Sequence, residues 1–210
     1  MNRPEIPDDI TPEKFFMQFV PSQFEKNKSS LPKEAFELKA AITFELTGPE
    51  GGIWTLMMDE GELVGVSGDS PHKIVKIVQT IDDWRSAIRG EKGFRFNMPA
   101  KGSSGGPTGS RSAILNQQKI DRLKDIEGSI KFRLIDPEKG DWEIAAVFES
   151  GDPAESETGK EPNCTITLSA ADAAAMRKGE LNPQTAFMSG KIHIKGDIGF
   201  AMQIGTALML

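Results

Sequence analysis

The chain predicts an α+β protein made of two unequal repeats, and three observations lead there. Ala41 to Leu46 alternates apolar and polar, with Ile42, Phe44 and Leu46 on one face. The turn Gly48-Pro49-Glu50-Gly51-Gly52 carries it into Ile53 to Met58, which makes a hairpin. A later strand, Lys73 to Val78, leads into the helix Ile81 to Arg89, which carries Trp84 and Ile88 on one face and is stopped by Gly90. The whole pattern then recurs. Ile42, Phe44, Leu46, Pro49, Glu50, Gly52 and Trp54 return 88 residues later as Ile130, Phe132, Leu134, Pro137, Glu138, Gly140 and Trp142. After one residue of slippage, Ile77, Thr80, Asp83, Gly90 and Glu91 return as Ile166, Ser169, Asp172, Gly179 and Glu180. Each repeat is expected to be a mainly antiparallel sheet covered by helices, with the second repeat the more complete.

Met1 to Ile10 reads as a polar, proline-rich arm. Thr11-Pro12-Glu13 starts a helix, with Phe15, Phe16, Phe19 and Val20 at helical spacing, and Pro21 is expected to interrupt it. Leu31 to Leu38 resumes an amphipathic pattern. Glu62 to Val66 is a third strand, closed by Gly68-Asp69-Ser70-Pro71, and Lys92 to Phe96 would be at most a shortened strand. Ala100 to Ser110 is a Gly/Ser-rich linker with little power to bury surface. The expected division is therefore 11–99 for the truncated repeat, 100–111 for the linker and 112–210 for the complete repeat. Ser112 opens a helix ending near Gly128. Ile130 to Ile135 and Trp142 to Phe148 form the second hairpin, and the acidic Ser150 to Asn163 replaces the third strand of the first copy.

The stretch without a counterpart in the first copy is Asn182 to Ile204. Asn182-Pro183 opens a short helix through Ser189, ended by Gly190. Lys191 to Lys195 alternates, with Ile192 and Ile194 facing the core. Gly196 turns the chain, Asp197 can cap the last helix, and that helix is apolar over most of its surface. Ile198, Ala201, Met202, Gly205, Leu208 and Met209 are expected on one stripe, widened by Phe200 and Ile204. A helix lying on a sheet needs one apolar stripe, so the wider surface implies a second layer, a lipid or a partner.

Several residues in this region carry a resemblance to the sterol carrier protein 2 family. They are Asn182-Pro183-Gln184, Ala186-Phe187, Gly190-Lys191, Ile194, Gly196-Asp197 and Ala201-Met202, with Cys164-Thr165-Ile166-Thr167 upstream. The resemblance extends over roughly Ser112 to Leu210. It implies a five-stranded, largely antiparallel sheet whose helices enclose an apolar tunnel for lipid, lined by the final helix and the sheet face beneath it. The residues then expected to touch ligand are Trp142, Ile144, Met176, Phe187, Met188, Ile194, Ile198, Ala201, Met202 and Ile204. Methionine suits such a wall because its flexible thioether adapts to different tails.

Composition narrows the function classes. A net charge of -6 and a pI near 5.1 argue against a nucleic-acid footprint, and on average an anionic membrane would repel the chain. The single cysteine, Cys164, excludes an intramolecular disulfide and a thiolate metal site. The first residues lack a signal peptide's apolar core, and the closing Leu-Met-Leu is not a Ser-Lys-Leu address, so a cytoplasmic location is expected.

The candidates for chemistry read better as structure. His72 sits in a turn and His193 on a polar strand face, neither in a ligand-spaced cluster, so no metal site is expected. Asp82-Asp83 suits a helix N-terminus electrostatically. Gly102 to Gly109 lacks the Lys-Ser/Thr ending of a phosphate loop, and Cys164 lacks a paired histidine. The expectation is a non-enzymatic protein without a cofactor that binds an apolar small molecule or lipid, with its transfer and transient membrane contact as further expectations. The alternative is a structural or interaction module whose tunnel is filled by side chains.

Overall fold

The computed structural model describes residues 6–30, 36–91, 117–148 and 161–209. The expected linker at 100–111, the strand at 92–96, the start of the entry helix at 112–116 and most of the acidic segment 150–163 fall outside those residues.

The first helical unit consists of α1 (Pro12–Lys14), a π-helical turn over Phe15–Phe19 and α2 (Val20–Asn27). Thr11 caps it, its hydroxyl accepting from the Lys14 N–H. Pro21 does not interrupt this helix as expected. Its ring would crowd the carbonyl one turn back, and widening the preceding turn, so that the Val20 N–H reaches the Phe15 carbonyl, lets the chain continue.

Strands β1 (Ala40–Thr47), β2 (Gly52–Asp59), β3 (Glu62–Ser67) and β4 (Val75–Thr80) are followed by α3 (Ile81–Arg89). The fourth strand starts at Val75 rather than Lys73, because residues 68–74 cross the sheet to bring β4 parallel to β1. Then come α4 (Gln117–Lys124), β5 (Gly128–Ile135), β6 (Trp142–Phe148), β7 (Cys164–Ser169), α5 (Ala170–Lys178), α6 (Pro183–Met188), β8 (Ile192–Gly196) and α7 (Ile198–Met209).

All eight strands form one mixed sheet in the order β3-β2-β1-β4-β6-β5-β7-β8. Both halves contain an antiparallel hairpin and a parallel pair. The register Phe44↔Ile77 in the first matches Phe132↔Ile166 in the second. The capping is matched too. Thr80 accepts from the Asp83 N–H and Ser169 from the Asp172 N–H, while Gly90 and Gly179 close the helices at φ 72° and 76°. Beyond each glycine, the Glu91 N–H reaches the Ser86 carbonyl and the Glu180 N–H the Ala175 carbonyl, both at 2.9 Å.

The halves meet edge to edge through β4 and β6, with Lys76↔Val147, Ile77↔Ala146 and Val78↔Ala145 in antiparallel register. In the second half the outer neighbour of β7 is β8, where Ile166 pairs with Ile194. Ala146 thus stands beside Ile77 as Ile194 stands beside Ile166. A strand of the second half occupies the place of the strand that the first half lacks.

One face of the sheet carries the helices and three apolar clusters. The first half is filled by rings. Phe16 stacks on Phe44 at 4.8 Å and on Trp54 at 5.6 Å between centroids, and Phe15 meets Trp84 edge-on at 5.4 Å. Behind β1 and β2, residues 68–74 bury a charged cluster. Asp69 lies 2.9 Å from Lys76 and 3.4 Å from Lys73, and both lysine side chains are almost wholly buried. The Thr43 hydroxyl donates to Asp69 Oδ1 at 2.8 Å. Burial by itself raises the Asp69 carboxyl, but hydrogen bonds from Lys76, Thr43 and the Ser70 N–H outweigh it and hold the group below the usual carboxylate range.

Candidate functional site

Three hydrogen-bonded registers place Ile144, Phe132, Ile166 and Ile194 side by side across β6, β5, β7 and β8. These four side chains share the helix-bearing face, and all four are half-buried. The rows on either side differ. Towards one end, Ile130 and Cys164 are buried beneath α4 and α7, against Ile120, Leu123, Phe200 and Ile204. Towards the other end, Trp142, Leu134 and Leu168 are buried with Ala173 and Met176 of α5 beside them. Ile166 touches both clusters. The middle row is the floor of this apolar face and the helix-covered rows beside it are its banks; strand spacing gives the floor a span of about 14 Å.

The contrast with the first half is specific. Of its corresponding row, Trp54, Phe44 and Ile77, the first two are buried, with the Phe16 ring stacked on both, while Ile77 is half-buried. That ring has no counterpart over the floor row of the second half among the described residues.

The expected ligand residues divide into three groups. Ile144 and Ile194 are in the floor. Trp142 and Met176 belong to one bank, and Ala201 and Ile204 on α7 to the other. Phe187, Met188, Ile198 and Met202 point outward. The stripe expected on the last helix is therefore corrected. Phe200, Ile204 and Ala207 are its buried side, with Ala201 next to them, while Ile198 and Met202 face solvent. The reason is tertiary: α7 lies against α4 as well as the sheet, and α4 selects which part of a broad apolar surface is covered. Phe132 and Ile166 were not among the expected ligand residues. Their alternation was visible, but the register that lines them up with Ile194 was not.

The site has little polar chemistry. Cys164 is fully buried at one bank, where burial, and then the Asp197 carboxylate, push its thiol upward. His72 and His193 are both exposed, and Asp83 is buried at the start of α3. Among the described residues there is no group of three or more His, Cys, Asp or Glu side chains placed to hold a metal. A separate groove of about 540 Å³ lies where β4 and β6 part, lined by Val78, Ser129, Lys131, Glu143, Ala145 and Val147 on the opposite sheet face, among others. Of its charged residues, Lys131 pairs with Glu143 at 3.6 Å, and the neighbouring Arg133 with both Asp141 and Glu143. Of the expected ligand residues it touches Ile144 alone.

The fold is a mixed sheet whose helices and apolar clusters lie on one face. Residues 112–209 match the SCP-2 sterol transfer family. Sterol carrier protein 2 of Gallus gallus is 35% identical over 85 residues, which is 39% of this chain and 15% of that protein. Hydroxysteroid dehydrogenase-like protein 2 of Xenopus laevis is 30% identical over 96 residues, 46% of this chain and 23% of that protein. The chain thus spans under a quarter of the length of these relatives. Among solved structures, apo sterol carrier protein 2 from Yarrowia lipolytica aligns at 27% identity over 42% of this chain and 77% of that one, with a TM-score of 0.33. The sterol carrier protein domain 2 of Helicoverpa armigera aligns at 25% identity over 41% and 69%, with a TM-score of 0.31.

Proposed function

We propose that the second half binds an apolar ligand of the lipid class in the trough floored by Ile144, Phe132, Ile166 and Ile194, and passes it on without chemical change. The observation that carries this reading is that Phe132 on β5 and Ile166 on β7 are half-buried although the inward residues on either side of them, Ile130, Leu134, Cys164 and Leu168, are buried, with half-buried Ile144 and Ile194 continuing the row. A sheet centre covered by protein alone would be its driest part. On β5 and β7 it is wetter than its flanks, so a further apolar body has surface to cover. The names of the relatives agree with such a ligand.

Covering roughly 300 Å² of alkyl chain at about 25 cal/mol/Å² gives on the order of 7 kcal/mol gross, before association and ordering costs. No strong polar anchor is then required. In this reading α7 is the closing element. It is held by Phe200, Ile204 and Ala207 against α4, and an outward shift on that contact would widen the trough.

The paired registers and caps further support reading 11–99 and 112–210 as copies of one unit. The first is then a scaffold whose ring-filled core leaves the binding to the second.

Native mass spectrometry of the full chain purified without detergent tests the function. Co-purifying lipid, or uptake of a fatty acid or sterol with a rise in Tm, is the expected result. An empty protein that gains no stability from any member of a broad lipid panel would overturn it and leave the side-chain-filled module.

A further inference from the structure

We propose that the groove where β4 and β6 part is a binding site for a small organic ammonium compound, whose charged group donates to Gln79. The site lies at the junction of the two halves and does not rest on the lipid-binding reading. Strands β4 and β7 hold equivalent places, Gln79 facing Leu46 as Leu168 faces Leu134. Leu168 also pairs with Ile192 of β8 and is buried in an apolar cluster. The ladder between β4 and β6 instead stops at Val78↔Ala145, one position short of Gln79. A glutamine thus stands at a core-facing place where the second half has a leucine. It is 9% exposed, and its Oε1 is buried with no hydrogen-bond partner among the described residues. Leaving a buried acceptor without a donor is costly, and nearly all such atoms in folded proteins have one. The groove of about 540 Å³ opens through the gap between the strands, since Val78 and Ala145 of one sheet face line it together with Gln79 and Ile144 of the other. A donor from outside the chain has room to reach Gln79 there.

The rest of the lining decides what kind of donor fits. Its charged side chains are Asp83, Asp141, Glu143 and Glu161 against Lys131. Lys131 pairs with Glu143, and Arg133, just outside the lining, pairs with Asp141 and Glu143. With both of these cations counted, the site keeps an excess of two negative charges, with Asp83 buried at the start of α3 and Glu161 exposed at the rim. An acceptor without a donor and a negative surround both favour a cation that carries protons to give. A carboxylate would be repelled and would offer Oε1 no proton. A neutral alcohol can donate to Oε1 but gains nothing from the charge. Among the described residues no three carboxylates are grouped to hold a metal ion, which leaves an organic cation. Its carbon body would lie on Val78, Ala145 and Val147, the apolar part of the lining.

The test titrates the full chain with n-butylammonium, and with 1-butanol and butyrate as its neutral and anionic counterparts, while backbone amide shifts are followed by two-dimensional NMR. Butylammonium should give saturable shifts at Val78, Gln79 and Ala145, with a Kd at least about tenfold below that of butanol. Gln79→Leu supplies the side chain that the second half has at this place. Its Tm should hold or rise while butylammonium binding weakens at least about tenfold. Glu161→Gln alters an exposed side chain at the rim, so it should leave Tm unchanged and weaken binding about threefold. Butanol or butyrate binding as tightly as butylammonium would overturn the proposal. So would the absence of saturable shifts at these amides, or undiminished binding in the Gln79→Leu variant. Should that variant not fold, Glu161→Gln decides, and unchanged binding there overturns the proposal.

Discussion

The indole N–H of Trp142, on β6 of the second half, donates to the backbone carbonyl of Asp83, on α3 of the first, at 3.2 Å. Trp142 is 2% exposed, so this bond ties the halves from within. Together with the β4–β6 ladder it makes the sheet one cooperative body rather than two beads on a linker.

Trp142→Phe keeps most of the ring and removes the donor, which should cost about 1 kcal/mol, somewhat more if the carbonyl is left dry. Trp142→Ala should cost about 3–5 kcal/mol. Urea unfolding followed by far-UV circular dichroism measures both. A single transition should persist in the phenylalanine variant.

Asp69→Asn should lose about 3–5 kcal/mol at neutral pH, because Lys73 and Lys76 stay buried beside a neutral amide. The pH dependence has a definite sign. The Asp69 carboxyl is held below its ordinary value in the folded protein, so its stabilisation is fully present above the unfolded pKa of about 3.9. That stabilisation drains away as pH falls through the lower folded pKa. The gap between wild type and variant, measured by urea unfolding across pH, should therefore shrink on acidification.

Gly65→Ala should be destabilising by about 1–3 kcal/mol. A methyl group there would run into the Phe16 carbonyl and the Met17 backbone, where the π-helical turn rests on β3. Backbone cannot swing aside like a side-chain tip. Hydrogen exchange should show faster opening of β3 and of residues 12–27 than of β5.

Filling the floor of the trough separates binding from folding. Ile166→Trp adds volume at a half-buried position and should weaken fatty acid binding at least about tenfold with Tm held or raised. Ile130→Trp adds the same volume at a 1% exposed position and should cost about 1–3 kcal/mol. Calorimetric titration and thermal melts on both variants make the comparison.

Local rules made much of this protein legible from residues alone. Asn182 was placed where a helix begins and Gly90 where one ends, because capping depends on a few neighbouring residues. The period of two in β1, β5 and β8 identified which side chains share a face. The parallel pairs keep the spacing of the recurrence at 88 and 89 residues, Phe44↔Ile77 beside Phe132↔Ile166, while the hairpins differ by two residues, Phe44 facing Trp54 and Phe132 facing Ile144.

Only tertiary structure decided which apolar surface is dry. On α7 nearly every position is apolar, so periodicity could not separate Phe200 and Ile204, covered by α4, from Ile198 and Met202, left in solvent. Pro21 signalled a break until the packing of Phe15 and Phe16 on the sheet made a widened turn cheaper than ending the helix. The trough itself is a property of register and coverage. Ile144, Phe132, Ile166 and Ile194 lie far apart in the chain, and hydrogen bonding between four strands brings them into one row. Sequence alone determined that this chain folds into apolar-faced α+β units. The packing of helices on the sheet decided that one unit is closed by its own rings and the other keeps an open floor.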